Sequence, residues 1–341
     1  MRKTLFCGVD LHSNNAVYVI TDGRDRQVFQ RRLPNQLPFV LEQLEPFRER
    51  LKVVAVESTY NWYWLVDGLM DHEYPVVLAN PSEMEQYHGI KEADDLTDAA
   101  FLARLARLKV LPTGYIYPKE DRPVRDLLRR RTLLVQQRTG IILSLQNLAM
   151  RQTGQRVGWR DLRRLGDEER TALLGDHDCL TFVADQQVEL IGQLSEKIGR
   201  FEKKVLEHVQ LQPAYQCLLT LPGVGVILAL TIRLETGDLG RFATVGDYTS
   251  YCRCVRATHT SNGKNKAKNN RKNGNPYLAW AFVEAVHHAI RVCPPARSFY
   301  DKKRAQRNGA LATKALAAKW SKAAYYMMKR QEVFDLKRVF G

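Results

Sequence analysis

Between Tyr248 and Val283 the chain has no acidic residue at all. Over the same stretch stand Arg253, Arg256, Lys264, Lys266, Lys268, Arg271 and Lys272, with Asn and Gly between them. A segment without internal counter-charge is not expected to fold on itself, but it can take order from phosphate groups. The shortage of acid is regional. Residues 1–120 carry 14 basic and 17 acidic groups (net −3), residues 121–212 carry 16 and 13 (net +3), and residues 213–341 carry 22 and 7 (net +15). The last third therefore accounts for the whole +15 excess, and a polyanion is the expected partner. A purely structural nucleic-acid binder has the same signature.

Other absences narrow the class further. Six cysteines in 341 residues are too sparse for a disulfide framework, so free thiols in a reducing cytoplasm are expected. Met1-Arg-Lys-Thr leads into a short strand-like run rather than a signal peptide. The longest largely apolar stretch, Val224 to Ile232, is far shorter than a membrane span. Cys252-x-Cys254 with His259 has the wrong spacing for a zinc site and no second pair follows, so zinc is not expected. At this length two or three domains are expected.

The first 118 residues read as α/β. Thr4–Asp10, Ala16–Thr21 and Gln27–Leu33 form a three-strand meander, with Asp22-Gly23 as a turn. Pro38–Leu51 has a helical apolar face, Lys52–Glu57 is a buried strand, and a helix around Trp62–Asp71 precedes the strand Pro75–Ala79. The order β-β-β-α-β-α-β-α is that of the ribonuclease-H-like fold. Asp10 ends the first apolar run and Glu57 the fourth, while Asp95 and Asp98 share one face of a helix that runs to Lys109. Taken singly, each acid is more readily a solvated charge. Together they can converge on hard divalent cations, Mg²⁺ or alternatively Mn²⁺, and two such ions can clamp the attacking and leaving oxygens of a phosphodiester.

Residues 119–212 read as a helical region. Two long helices, Val124 to about Met150 and Phe182 to His208, suggest a coiled-coil-like arm. Its use is either dimerisation or spacing within one chain. Arg129, Arg130 and Arg131 near its start are candidates for phosphate contact or for a solvated face. Residues 213–341 read as a mostly α domain. There Leu-Pro-Gly-Val-Gly, with Gly223 and Gly225, resembles the turn of a helix-hairpin-helix element, whose glycines and helix-start amides can meet a phosphate. A plain αα-corner is the alternative. Ser261, in His259-Thr-Ser-Asn-Gly-Lys264, would alone be an ordinary loop serine. Activated, it can be a nucleophile.

Taken together, these residues resemble the DEDD-type insertion-sequence transposases, the superfamily numbered 110 and 1111. The N-terminal part looks like that family's RuvC-like domain. Its K-T-D-x-x-D-A block stands here as Glu92-Ala-Asp-Asp-Leu-Thr-Asp-Ala99, with the Lys-Thr pair lost and both aspartates kept. The C-terminal blocks follow in order as Leu219-Thr-Leu-Pro-Gly-Val-Gly225, Gly237-Asp-Leu-Gly-Arg-Phe242, Thr260-Ser-Asn-Gly-Lys264 and Lys272-Asn-Gly-Asn275. Thr260 replaces the first family serine, which singles out Ser261. Tyr251-Cys-Arg-Cys254 replaces the usual Tyr-Ala-Gly.

The resemblance implies a recombinase directed by a structured non-coding guide RNA transcribed from the element, which pairs with donor and target DNA. By the same resemblance Asp10, Glu57, Asp95 and Asp98 hold Mg²⁺. Ser261 attacks double-stranded DNA to give a phosphoserine, and exchange passes through a junction within dimers or a tetramer on DNA. Two readings compete with it. One is a RuvC-like junction resolvase or nuclease that uses metal-activated water. The other is a non-catalytic nucleic-acid-binding protein, indifferent to divalent metal and to loss of all four acids.

Overall fold

The computed structural model describes residues 4–84, 95–162, 164, 166–174, 177–208, 213–255, 260–261, 264–265 and 274–341. The chain divides into two compact units, one built on Met1–Lys119 and the other on Glu120–Asn270 with Gly274–Gly341.

The first unit is a mixed sheet with helices on both faces. Its elements are β1 (Leu5–Leu11), β2 (Asn15–Asp22), β3 (Gln27–Pro34), α1 (Leu37–Leu44), β4 (Leu51–Glu57), α2 (Tyr63–Asp71), β5 (Val76–Ala79), α3 (Pro81–Met84), α4 (Asp95–Arg107) and the two-residue β6 (Thr113–Gly114). The strands lie in the order β3-β2-β1-β4-β5-β6. β1 pairs antiparallel with β2 and parallel with β4. This is the order expected of a ribonuclease-H-like domain.

Strand parity decides what faces what. Leu5, Cys7, Val9 and Leu11 of β1 join Val40 and Leu44 of α1 and Leu65, Val66 and Leu69 of α2 in one apolar cluster. The alternate positions, including Gly8 and Asp10, therefore point to the opposite face. On that face α4 packs across β1, β2 and β4. Ala99 meets Val17 and Val19, while Leu102 meets Ala55 and Ala79. Because Ala55 faces α4, Glu57, two residues on, faces it as well. β3 is an exposed edge strand whose Arg31 and Arg32 keep that edge charged.

The second unit is helical: α5 (Arg122–Thr153), α6 (Trp159–Leu162), α7 (Asp167–Leu174), α8 (Asp178–Glu207), α9 (Pro213–Leu219), α10 (Val226–Thr236), α11 (Val245–Tyr251), a small ladder of β7 (Thr260–Ser261) and β8 (Lys264–Asn265), α12 (Pro276–Val292), α13 (Pro294–Gln306), α14 (Gly309–Arg330) and α15 (Leu336–Phe340). α5 and α8 run antiparallel, as the polar pairs Arg131–Glu202, Arg138–Ser195 and Ser144–Gln187 require. Ala184, Ile191, Ile198 and Val205 of α8 are buried and stand seven apart, which keeps one seam of the helix turned inward. Leu190 lies just off that seam and is exposed.

α14 is the central helix of the remainder, with Trp320 fully buried against Phe334 and Phe340. The turn between α9 and α10 is fixed to it by the Trp320 indole, which donates to the Pro222 carbonyl at 2.9 Å. Among the described residues no helix is long and apolar enough to cross a membrane.

Candidate active site

Asp10 sits one residue from the end of β1 with its side chain almost wholly buried. The neighbouring register, Val9 opposite Val56, sets Asp10 beside Glu57 at the end of β4. Burial pushes the Asp10 carboxyl above the ordinary carboxylate range. A hydrogen bond with Glu57 and the nearby His12 oppose that rise, and the charges of Asp98 and Asp95 add to it. Two carboxylates that share a hydrogen bond share a proton, or a cation in its place. Asp95 and Asp98 come from the first turn of α4, on the stripe that continues through Ala99 and Leu102 onto the sheet. The structure thus brings all four acids of the sequence reading to one face of the sheet, and the donor set is the all-oxygen kind that suits hard divalent cations.

Three further residues build this site. His12 lies two residues beyond Asp10, and its Nε2 is 3.2 Å from Asp10 Oδ2 and 3.4 Å from Asp95 Oδ2. Arg32 of β3 reaches the same Asp95 oxygen at 2.6 Å, and this bond holds the Asp95 carboxyl below its usual range. Gly8 lets α4 approach. A Cβ placed there would stand 1.9 Å from the Ala99 carbonyl oxygen and 2.7 Å from the Ala103 nitrogen. The helix is pinned at its other end too, where Arg107 donates twice to Asp25 in the β2–β3 turn, each bond 2.6 Å. Of the three, His12 had a signal in the sequence, its two-residue step from Asp10. Arg32 and Gly8 had none, because their partners are distant in sequence.

Gly8→Ala is accordingly expected to push α4 outward by about an ångström. Overpacking of this kind costs about 1–3 kcal/mol. A displacement of about 1 Å of the four acids is expected to lower the DNA strand-transfer rate about 100-fold. Thermal unfolding and rate measurements on the variant check both; an unchanged rate would show that α4 does not position the acids.

In the second unit, Ser261 and Lys264 are opposed in the β7–β8 ladder, as are Thr260 and Asn265. This corrects the expectation that the basic segment forms no structure of its own. Thr260 is β-branched and suits a strand. Arg256, Lys266, Lys268, Arg271 and Lys272 lie outside the described residues, as does His259. The stem of the segment is well tied. The Asn275 amide donates to the Tyr251 carbonyl at 2.6 Å, and the Arg253 guanidinium donates to the Gly274 carbonyl at 2.9 Å. Gly274 has φ +83°, and a side chain there would strike the Tyr251 carbonyl oxygen. Arg253, expected to meet nucleic acid, is therefore engaged in holding the stem.

The Arg129-Arg130-Arg131 expectation also needs correction. Arg125 and Arg129 both pair with Glu235, which is 2% exposed. Arg129 also lies over the Tyr277 ring at 4.4 Å. Arg131 pairs with Glu202 of α8. Only Arg130 of the three is exposed. Alternate members of a basic run on a helix point to different sides, so two of the three met partners in the fold. Gly223, another expected phosphate contact, has φ +82°, and its missing side chain makes room for the Ala285 carbonyl and Ala289 amide of α12. Its conformation and packing account for the glycine. Gly225 precedes α10, exposed and open to solvent where a Cβ would project.

Comparison with known proteins agrees with the sequence reading. A family model for DEDD transposases of the IS110 type, described as "Transposase", matches residues 7–153, and one described as "Transposase IS116/IS110/IS902 family" matches residues 215–301. A "Probable family 20 transposase" of Pseudomonas aeruginosa is 23% identical, the match covering 83% of this chain and 85% of that protein. The "Transposase for insertion sequence element IS1111A" of Coxiella burnetii is 24% identical over 82% of this chain and 78% of its own. An uncharacterized 44.8 kDa protein of insertion element IS116 from Streptomyces clavuligerus is 22% identical over 92% and 90%. With the sheet order, the four acids and both family regions in agreement, the chain belongs to the IS110 family of DEDD insertion-sequence transposases.

Proposed function

We propose that this transposase cuts and rejoins DNA with two sets of groups, the acids Asp10, Glu57, Asp95 and Asp98 and the hydroxyl of Ser261. The observation that carries the first half is the meeting of four carboxylates from β1, β4 and α4 on one sheet face, two of them sharing a hydrogen bond. Divalent cations, Mg²⁺ or Mn²⁺, held there would polarise a scissile phosphate and neutralise charge building on it. Asp10 and Glu57 would orient such ions from strand ends fixed by the sheet, and Asp95 and Asp98 from a helix pinned at both ends. The Ser261 hydroxyl oxygen attacks phosphorus, one bridging P–O bond breaks, and the leaving sugar oxygen takes up the proton that the serine gives up. A sugar hydroxyl of the second duplex then attacks the phosphoserine, restoring the serine and leaving a junction between duplexes.

Sequence choice in this reading comes from an element-encoded guide RNA paired to donor and target DNA, while the acid-free basic segment holds the backbone. Oligomerisation is supported by apolar side chains left exposed on the arm: Leu133, Leu143 and Met150 on α5, and Phe182, Val183 and Leu190 on α8. Sequencing the RNA that co-purifies with the protein tests the guide: a defined species matching the element's flank is expected, and random cellular RNA would count against it. The nucleophile is tested by denaturing gels after incubation with DNA. A covalent adduct is expected with the natural chain and none with Ser261→Ala. Full recombination by Ser261→Ala would overturn the nucleophile assignment, and cutting by the natural chain without any adduct would favour the water-based nuclease reading.

A further inference from the structure

The four acids account for the family's oxygen donors, but His12 stands among them with an imidazole nitrogen. We propose that His12 Nε2 is a direct ligand of the cation held by Asp10 and Asp95, giving this transposase a mixed nitrogen–oxygen centre that favours a transition-metal ion such as Mn²⁺ over Mg²⁺. The inference rests on the reading of the acid cluster as a metal site.

Geometry is the first support. Donor atoms on adjacent octahedral positions, with bonds near 2.1 Å, stand about 3.0 Å apart. His12 Nε2 is 3.2 Å from Asp10 Oδ2 and 3.4 Å from Asp95 Oδ2, almost the spacing of a co-ligand to each, and the ligand atoms of the three residues all lie within 4.8 Å of one another. The second support is that the backbone of His12 is held as a ligand's should be. Its amide donates to the Asn15 carbonyl at 2.9 Å, while its own carbonyl accepts from the Asn35 side chain at 3.0 Å and the Asn61 side chain at 2.9 Å. Three bonds to three different segments of the chain, the start of β2 and the loops after β3 and β4, fix where the ring starts, which is the preorganisation a ligand needs. Arg32, which reaches the same Asp95 oxygen and also donates to the Asn15 side chain at 3.0 Å, carries a guanidinium with donors only and so offers no lone pair to a cation. Mg²⁺ gains little from an imidazole nitrogen, because it prefers oxygen and water, whereas transition ions gain more.

The full-length protein, titrated with Mn²⁺ alone and examined by pulsed electron paramagnetic resonance, decides the question. Nitrogen-14 modulation of the kind a bound imidazole produces is expected from the natural chain and lost in His12→Gln. Mn²⁺ affinity is expected to fall at least about tenfold in that variant, with Mg²⁺ affinity changed less than Mn²⁺ affinity. Bound Mn²⁺ without nitrogen modulation would overturn the ligand role and leave the acid site intact. So would an equal loss of affinity for both ions. Unaltered Mn²⁺ binding by Asp10→Asn would overturn the metal reading of the acid cluster, and this inference with it. The spectrum of the natural chain is decisive even if His12→Gln fails to fold.

Discussion

Asp10→Asn is expected to abolish strand transfer, lowering its rate by at least about 10²–10³-fold, and at the same time to make the metal-free protein more resistant to heat. Both follow from one fact. The Asp10 carboxyl is buried beside Glu57, with Asp95 and Asp98 close by, and its folded-state pKa is raised. A carboxyl with a raised folded pKa binds its proton more tightly in the native state than in the unfolded chain. Its ionisation therefore opposes folding at pH above the folded value, and that cost disappears as pH falls below the unfolded value of about 4. An amide removes the cost at neutral pH and can still donate to Glu57. Calorimetry in the presence of a chelator should show the unfolding midpoint of Asp10→Asn above that of the natural protein near pH 7, with the gap closing towards pH 4. A midpoint below the natural one across that range would mean that the Asp10 charge stabilises the unit, and that the acids are held by internal cations rather than waiting for an external one.

Glu235→Ala should be strongly destabilising to the second unit, at about 3–5 kcal/mol. Glu235 accepts from Arg125 at 3.0 Å, from Arg129 and, at 2.7 Å, from the Asn275 side chain. Burial pushes its carboxyl up, but the Arg129 hydrogen bond, the charges of Arg125 and Arg129 and the Asn275 amide outweigh it, so the group lies below its ordinary range. Removing the carboxylate takes the Glu235 ion pair from the Arg125 guanidinium, whose side chain is only 8% exposed. For a unit of this size the loss corresponds to about 10 °C in unfolding midpoint. The sign with pH is opposite to that of Asp10. A depressed carboxyl contributes stability above its unfolded pKa and loses it as pH falls through the folded value, so Glu235→Gln should flatten the acid limb of the stability curve below about pH 4. A cost under about 1 kcal/mol for Glu235→Ala would be out of keeping with a buried, doubly paired acid.

The same network has a functional side. Asn275 accepts at Oδ1 from the amides of Tyr277 and Leu278, capping α12, while its Nδ2 holds Glu235. Its backbone closes the stem of the segment that carries Ser261. The family's closing Gly-Asn pair is thus explained by structure: Gly274 supplies a left-handed turn, and Asn275 a cap with a spare donor. Likewise Asp238 of the Gly237–Phe242 block caps its own turn by accepting from the Gly240 amide, and Arg241 lies over the Phe242 and Tyr251 rings.

Much of the first unit was legible in the sequence because its signals are local. Alternation and turn dipeptides mark strands, and a spacing of three puts Asp95 and Asp98 on one helical face whatever that helix packs against. Strand-end placement likewise made Asp10 and Glu57 visible. What could not be read was which partners the remaining charges would meet. Arg129, Arg130 and Arg131 look alike in the chain, yet Arg129 pairs with an acid 106 residues away and Arg131 with one 71 residues away. Arg32 finds Asp95 across 63 residues. Gly8 reads as a weak point in a strand until α4 lies 1.9 Å from where its side chain would be. By itself the sequence determined the order of elements, the four acids and the concentration of positive charge in the last third, since these depend on neighbours along the chain. Tertiary structure alone decided which basic residues are structural and how closely α4 approaches the sheet. It also decided that a histidine joins the acids, because distant groups acquire partners only when burial brings them together and penalises any left unpaired.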